Sequence, residues 1–378
     1  AVLYASPSPR PARTSVRIAQ WNIEKGRELP GIIAKLRDDP WLREAHIVCL
    51  NEVDDGTARG GNVDQARELG RALGLTAVFL PCWVECTRGV GPDLEIPGEH
   101  RRGLQGIAIL SRLPVRAAAA CVLPACFDAF DFHEKRYGGR RGLFVRLDWG
   151  GWPLIVGTTH LEVRNTPRCR AEQIGAFLGG LRQFLEGSAG ASVAAGAPGG
   201  AVPAAQVPGH GPPDPSAGTR GLEAAGRALP LEAVPVLLAG DWNTSSFHRG
   251  TLAGSAREFY RILLRSPEEL DRELAWPVAR EPLFARLAAE GFSVDRWNEA
   301  APTARQDLGR VEDLDRLSPW LARRLDRLAG LSGRTLHMRL DWVAARGLRL
   351  AGRPVTIPPS GPDGRTLSDH AVVGVDVV

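Results

Sequence analysis

Short apolar runs that stop on a polar side chain recur along this chain. They are VRIAQWNI (16–23), HIVCLNEVD (46–54), LIVGTTHLE (154–162), VLLAGDWN (236–243), LDWVAARG (340–347) and SDHAVVGVDV (368–377). Runs of this length, rich in aliphatic and β-branched residues and bounded by Gly or polar groups, predict buried strands. Each leaves an amide, carboxylate or imidazole where the strand emerges: Asn22, Glu52, His160, Asp241 with Asn243, Asp341, and Asp369 with His370. Segments 106–115, 142–149 and 152–161 read as further strands, and two strands, 336–346 and 370–378, close the chain. Apolar positions return at helical spacing over 28–46, 64–75 and 168–186, which predicts amphipathic helices.

Strands and helices alternate throughout, so the fold class is α/β. Several strands are apolar on both faces (IVCLN, PVLLAG), and both faces must be covered. Residues 1–13, rich in Pro, Ser and Ala, are expected to be a disordered lead-in to one domain over 14–378. Two segments interrupt that domain. The Gly/Ala/Pro stretch 187–230 has almost no large apolar side chain and cannot offset the entropy of ordering, so a disordered, dispensable insertion is expected there. Residues 254–335 read as largely helical, with REFYRILLRS, PLFARLAAEGF and SPWLARRLDRLAG as the clearest pieces.

Composition narrows this little. The content is 44% hydrophobic and 24% charged, with net charge +4, which is ordinary for a globular chain and too mildly basic to announce nucleic acid. The Arg-rich run 323–339 reads as a solvated helix face. None of the six cysteines has metal-finger spacing; Cys82 with Cys86 and Cys121 with Cys126 are candidate disulfides. No run reaches the roughly 20 apolar residues of a membrane span. Met338 is the only methionine, so a processed or truncated start is expected, a removed secretion signal included.

The polar strand ends suit phosphate-ester cleavage. That chemistry needs negative charge neutralised on phosphoryl oxygens, a water oriented and deprotonated, and a leaving oxygen stabilised. Glu52 and Asn22 are hard oxygen donors of the kind Mg²⁺ takes, with Asp369 a third. Asp241 suits a base, and Asn243, two residues on along an extended segment, lies on the same face to fix the water. His160 and His370 can donate to non-bridging oxygens, and Asp341 is the acidic partner that would keep His370 cationic.

Taken in order, WNIEKG, LNEVD, GIAILSRLP, GTTHLEV, LLAGDWN, LDWVAA and SDHAVVGV closely resemble the endonuclease/exonuclease/phosphatase superfamily, which has the DNase-I-like fold. The resemblance runs from about Ser15 to the C-terminus, leaving out 187–230 and most of 254–335. It implies a four-layer α/β/β/α sandwich of two packed mixed sheets with outer helices, and metal-dependent hydrolysis of a phosphate ester. It implies Asn22, Glu52 and Asp369 at metal positions, with Mg²⁺ as cofactor or Mn²⁺ in its place. It implies catalytic roles for His160, Asp241, Asn243, Asp341 and His370, and a phosphate contact for Arg141, with Arg140 and Arg136 as adjacent alternatives. One departure stands out: digestive deoxyribonucleases place a Glu beside the first histidine where this chain has Gln105. Three functions remain open: a phosphodiesterase or nuclease, a lipid-headgroup or small-molecule phosphoesterase, and a non-catalytic binding module. The expected partner is a phosphate-ester substrate, with nucleic acid among the candidates; no protein partner and no compartment are inferred.

Overall fold

Two mixed sheets form the centre of the molecule; the predicted apolar runs supply most of their strands, and segments 76–85, 115–122, 136–138 and 355–357, which were not read as strands, supply others. A computed structural model describes residues 2–4, 15–126, 128–131, 134–163, 165–188, 234–245, 251–307, 327 and 335–378. In the first sheet β1 (Val2–Tyr4), β4 (Thr76–Glu85), β5 (Leu104–Ser111), β3 (Ile47–Asp55), β2 (Val16–Asn22), β15 (Val372–Val377) and β14 (Val355–Ile357) lie in that order, and β7 (Arg136–Gly138) also pairs with β4. In the second the order is β13 (Asp341–Arg346), β10 (Val236–Asp241), β9 (Trp152–Thr159), β8 (Arg141–Trp149) and β6 (Val115–Val122). A small ribbon of β11 (Ala304–Asp307) and β12 (Thr335–Met338) stands apart.

Three clusters of buried apolar residues mark the three interfaces of four layers. Ile18, Cys49, Ile107, Val145, Val156 and Leu237 pack between the sheets. Phe144, Phe177, Trp242, Leu283 and Trp342 pack the second sheet against α3 (Pro167–Ser188) and α6 (Pro282–Ala289). Trp21, Ile32, Leu50, Leu69 and Phe79 pack the first against α1 (Leu29–Asp38) and α2 (Gln65–Leu73). This is the expected α/β/β/α sandwich. Strands apolar on both faces are strands with a sheet on one side and helices on the other.

Several expectations need correction. Residues 2–4, placed in a disordered lead-in, form β1 on the edge of β4, with Val2 opposite Phe79. Only residues 187 and 188 of the expected insertion are described, and they end α3; the rest lies outside the described residues, as does SPWLARRLDRLAG except Arg327. The 254–335 segment contains α4 (Leu252–Leu264), α5 (Pro267–Ala275) and α6 as expected, but also β11. The single strand expected over 336–346 is two, because the chain leaves the small ribbon after Met338 and enters the second sheet at Asp341. No described helix is long and apolar enough to cross a membrane.

Neither candidate disulfide forms. Cys126 is bonded to Cys169 at the start of α3, and Cys49, Cys82, Cys86 and Cys121 are free. Cys82 lies within β4 and Cys86 just past its end, and an extended chain advances about 3.3 Å per residue, which separates them too far to bridge. Denatured but unreduced protein should therefore titrate four thiols with Ellman's reagent; six would show the bond to be absent.

Candidate active site

Both sheets release their functional residues at one end. Asn22 closes β2, Asp241 closes β10 and Asp341 opens β13 directly opposite Asp241. A backbone contact fixes the end of β10: a Cβ on Gly240 would lie 1.9 Å from the Thr159 carbonyl oxygen, so no other residue lets β10 lie this close to β9. Glu52 sits where the β3–β5 register shifts between Asn51 and Val53, at φ 56°. That bulge turns the Glu52 carboxyl out of the ladder towards Asn22.

Glu52, His160, Asp241, Asn243, Asp369 and His370 line a cleft of about 280 Å³. Asn22 donates its amide nitrogen to Asp241 Oδ2 at 3.0 Å and to Glu52 Oε1 at 3.3 Å. Asp241 Oδ1 accepts the backbone N–H of Asn243 at 2.9 Å, and Asn243 gives its side-chain N–H to the Leu161 carbonyl at 2.9 Å. His160 Nε2 lies 3.3 Å and His370 Nε2 3.8 Å from Asp241 Oδ2. The 2.7 Å contact between His370 Nδ1 and Asp341 Oδ2 is the expected histidine–carboxylate pair. Ser368 Oγ, which accepts from the His370 N–H, holds that turn down by donating to the Asn22 carbonyl. Trp21 and Trp242 are fully buried, and the Trp21 indole donates to the His370 carbonyl at 2.9 Å.

The electrostatics separate these groups by role. Burial, with Asp341 adding to it, pushes the Asp241 carboxyl up to about 7 against the pull of His370. Burial opposes the charged form of His370, but Asp341, Asp369 and Asp241 outweigh it and hold the imidazole well above its ordinary value. His160 goes the other way: burial, then Arg140, His370 and Arg136, push it well below, so it is neutral. Burial would raise Glu52, yet Lys25, the Asn22 hydrogen bond and His370 hold it below the usual carboxylate range.

Two readings shift by a residue or two. Arg136 and Arg140 line the cleft, whereas Arg141 does not; it opens β8, where its carbonyl accepts the Thr159 hydroxyl. Arg140 is 8% exposed and its guanidinium lies 5.7 Å from the Trp83 ring centre. Glu24 was not singled out in the sequence. Its carboxylate accepts the Asp369 backbone N–H at 3.0 Å and pairs with Arg27, and burial with the charges of Asp369 and Glu52 raises its pKa. The signal was present: an acidic residue two positions after Asn22. Gln105 accepts from Arg136 at 3.1 Å, so its amide is engaged by an arginine.

The donor set fits a hard divalent cation. Glu24, Glu52 and Asp369 are carboxylates, Asn22 is an amide, and no cysteine lines the cleft.

Solved structures share the architecture. The human Nocturnin catalytic domain with bound sulfate is 14% identical, with 99% of this chain and 97% of that one covered and a TM-score of 0.50. An endonuclease/exonuclease/phosphatase from Beutenbergia cavernae DSM 12333 is 16% identical over 97% of this chain and 72% of its own, with a TM-score of 0.47. The Nocturnin likeness bears on the fold alone. No curated protein sequence matches the chain. A model of the endonuclease/exonuclease/phosphatase family, whose members typically hydrolyse phosphate esters, matches residues 19–370, and this chain belongs to that family.

Proposed function

We propose that this protein is a metal-dependent phosphodiesterase of the nuclease type that hydrolyses its ester by in-line attack of water. One observation carries the reading: a carboxylate poised near 7 and an imidazolium fixed by Asp341 face each other across one cleft. A base is most effective when its pKa lies near the working pH, and a fixed cationic donor is most useful where charge grows. Asp241 takes the proton of the attacking water, which Asn243 positions through its amide oxygen. His370 donates its Nε2–H to a non-bridging phosphoryl oxygen. His160 serves as a neutral donor beside it. Arg140, in place of Arg141, supplies the guanidinium contact to phosphate.

Asn22, Glu52 and Asp369, joined by Glu24, would hold Mg²⁺ or Mn²⁺. Bound there, the cation would neutralise phosphoryl oxygens and stabilise the leaving oxygen. The negative charge of Glu52 raises both Glu24 and Asp369, and carboxylates crowded in this way favour a cation between them.

Turnover of plasmid DNA, RNA, bis-p-nitrophenyl phosphate and sphingomyelin with Mg²⁺ tests the reading. Activity should vanish in excess EDTA, and calorimetric titration should show Glu52→Gln binding Mg²⁺ at least ~10-fold more weakly. Full activity in EDTA would end the metal assignment. Turnover of sphingomyelin alone would move the protein to the lipid-headgroup class.

A further inference from the structure

Trp83, Ala129 and Arg136 line two spaces at once. One is the cleft around Asp241; the other is a more open groove of about 690 Å³ that continues from it. Phe130, Tyr137 and Asp128 also line the groove. Large rings on a surface are usually covered, yet Phe130 is 51% and Tyr137 71% exposed. The segments that carry them are fastened. The Cys126–Cys169 disulfide ties the strap before Phe130 to α3, and the Phe130 N–H donates to Asp128 Oδ1 at 2.9 Å. Lys135 donates to the Phe130 carbonyl at 2.8 Å and sets its ammonium 4.9 Å from the centre of that ring. Tyr137 is fixed by the pairing of β7 with β4, opposite Val84. Between groove and cleft, Trp83 is 5% exposed, and its indole N–H meets no acceptor among the described residues. Buried donors are seldom left unpaired.

We propose that this groove is a nucleobase subsite, taking the base of the nucleoside esterified to the phosphate in the cleft. It rests on the phosphodiesterase reading above. A base presents a π-face to Phe130 or Tyr137, and such stacking tolerates any sequence. Lys135, whose ammonium lies beside the Phe130 ring, supplies positive charge for an adjoining phosphate. An acyl chain would fit worse, because it would strip water from Asp128 and Arg136 and give them nothing in return. A bare sugar phosphate would leave both rings unused. The subsite therefore selects single-stranded nucleic acid, whose bases are free to turn out of a stack.

The test uses two fluorescein-labelled hexamers with one backbone, oligothymidylate and its fully abasic analogue. With Mg²⁺, the parent should show a KM for oligothymidylate roughly 10-fold or more below that for the abasic strand. The Phe130→Ala/Tyr137→Ala double variant should lose most of that preference, with a melting temperature close to the parent's because both rings are largely exposed. Tyr260→Ala, which removes a 46%-exposed ring on α4, should keep the preference. Anisotropy titration of Asp241→Asn with the same strands reads the subsite without turnover. If that variant prefers the base-bearing strand while the parent cleaves no phosphoester, the subsite stands and the hydrolytic reading falls. Equal affinity for both strands would overturn the subsite. So would a double variant that loses turnover of sphingomyelin vesicles and keeps its preference for oligothymidylate.

Discussion

Asp241→Asn and His370→Ala should each lower kcat by at least ~10²-fold on any substrate the parent cleaves, while KM changes far less. Both groups face charge that appears only as the phosphate reacts, so their loss is felt in the transition state rather than in binding. Asp341→Asn tests the geometry more finely. Its carboxylate is fully buried, 2.7 Å from His370 Nδ1, and it is the first of the charges that raise that imidazole. Without it His370 falls back towards its ordinary value. The alkaline limb of the pH–rate profile should then move to lower pH, since the protonated form is lost sooner as pH rises. Its effect should add only partly to that of His370→Ala, because the pair acts as a unit. Single variants with parental kcat would show the constellation to be structural.

The largest expected effect on stability lies beside the cleft. Arg59 has no exposed side-chain surface; its guanidinium donates to Asp54 at 2.7 and 3.1 Å, to Glu85 at 2.8 Å and to Glu134 at 3.4 Å. Burial works against the charge, but Asp54 and Glu85 more than compensate and hold it in the protonated form. Arg59→Met would leave those carboxylates buried and short of a partner. Breaking a buried ion pair from one side costs about 3–5 kcal/mol, so urea denaturation should show a loss of that size. Glu134 also takes Lys25 at 2.7 Å, and both line the cleft, so the variant should lose activity as well. A change below about 0.5 kcal/mol would mean that water reaches the cluster and pays for the missing guanidinium.

Periodicity made the layers legible because strands covered on both faces read as unbroken apolar runs. β2, β9, β10 and β15 lie within the runs read for them, β3 runs one residue past its own, and the functional residues lie at or within three residues of a strand end. The edges were less legible. β4 contains Pro81 and shifts register beside it, and β1 is three residues whose strand character comes from pairing with β4. The site was read down to the residue where one side chain marks the end of a strand, as at Asn22 and Asp241. Arg140 and Arg141 mark the boundary of that method. Adjacent residues at a strand start point to opposite faces, and in GRRG nothing local says which face meets the cleft. Glu24 escaped for a related reason. It sits at φ 48°, in a turn that strand periodicity does not describe, and only Asp369 from the far end of the chain reveals its place.

That last pairing has a consequence for how the protein is made. β15 hydrogen-bonds to β2 inside the first sheet, and Asp369 and His370 immediately precede it. Asn22 and Glu52 leave the ribosome long before Asp369 and His370 are translated. A nascent chain can build helices and half a sheet in order of synthesis, yet it carries an incomplete cleft until its final strand slots beside its second. The cleft would thus be complete only once Asp369 and His370 have been made, and any chain cut short before Asp369 would lack both groups.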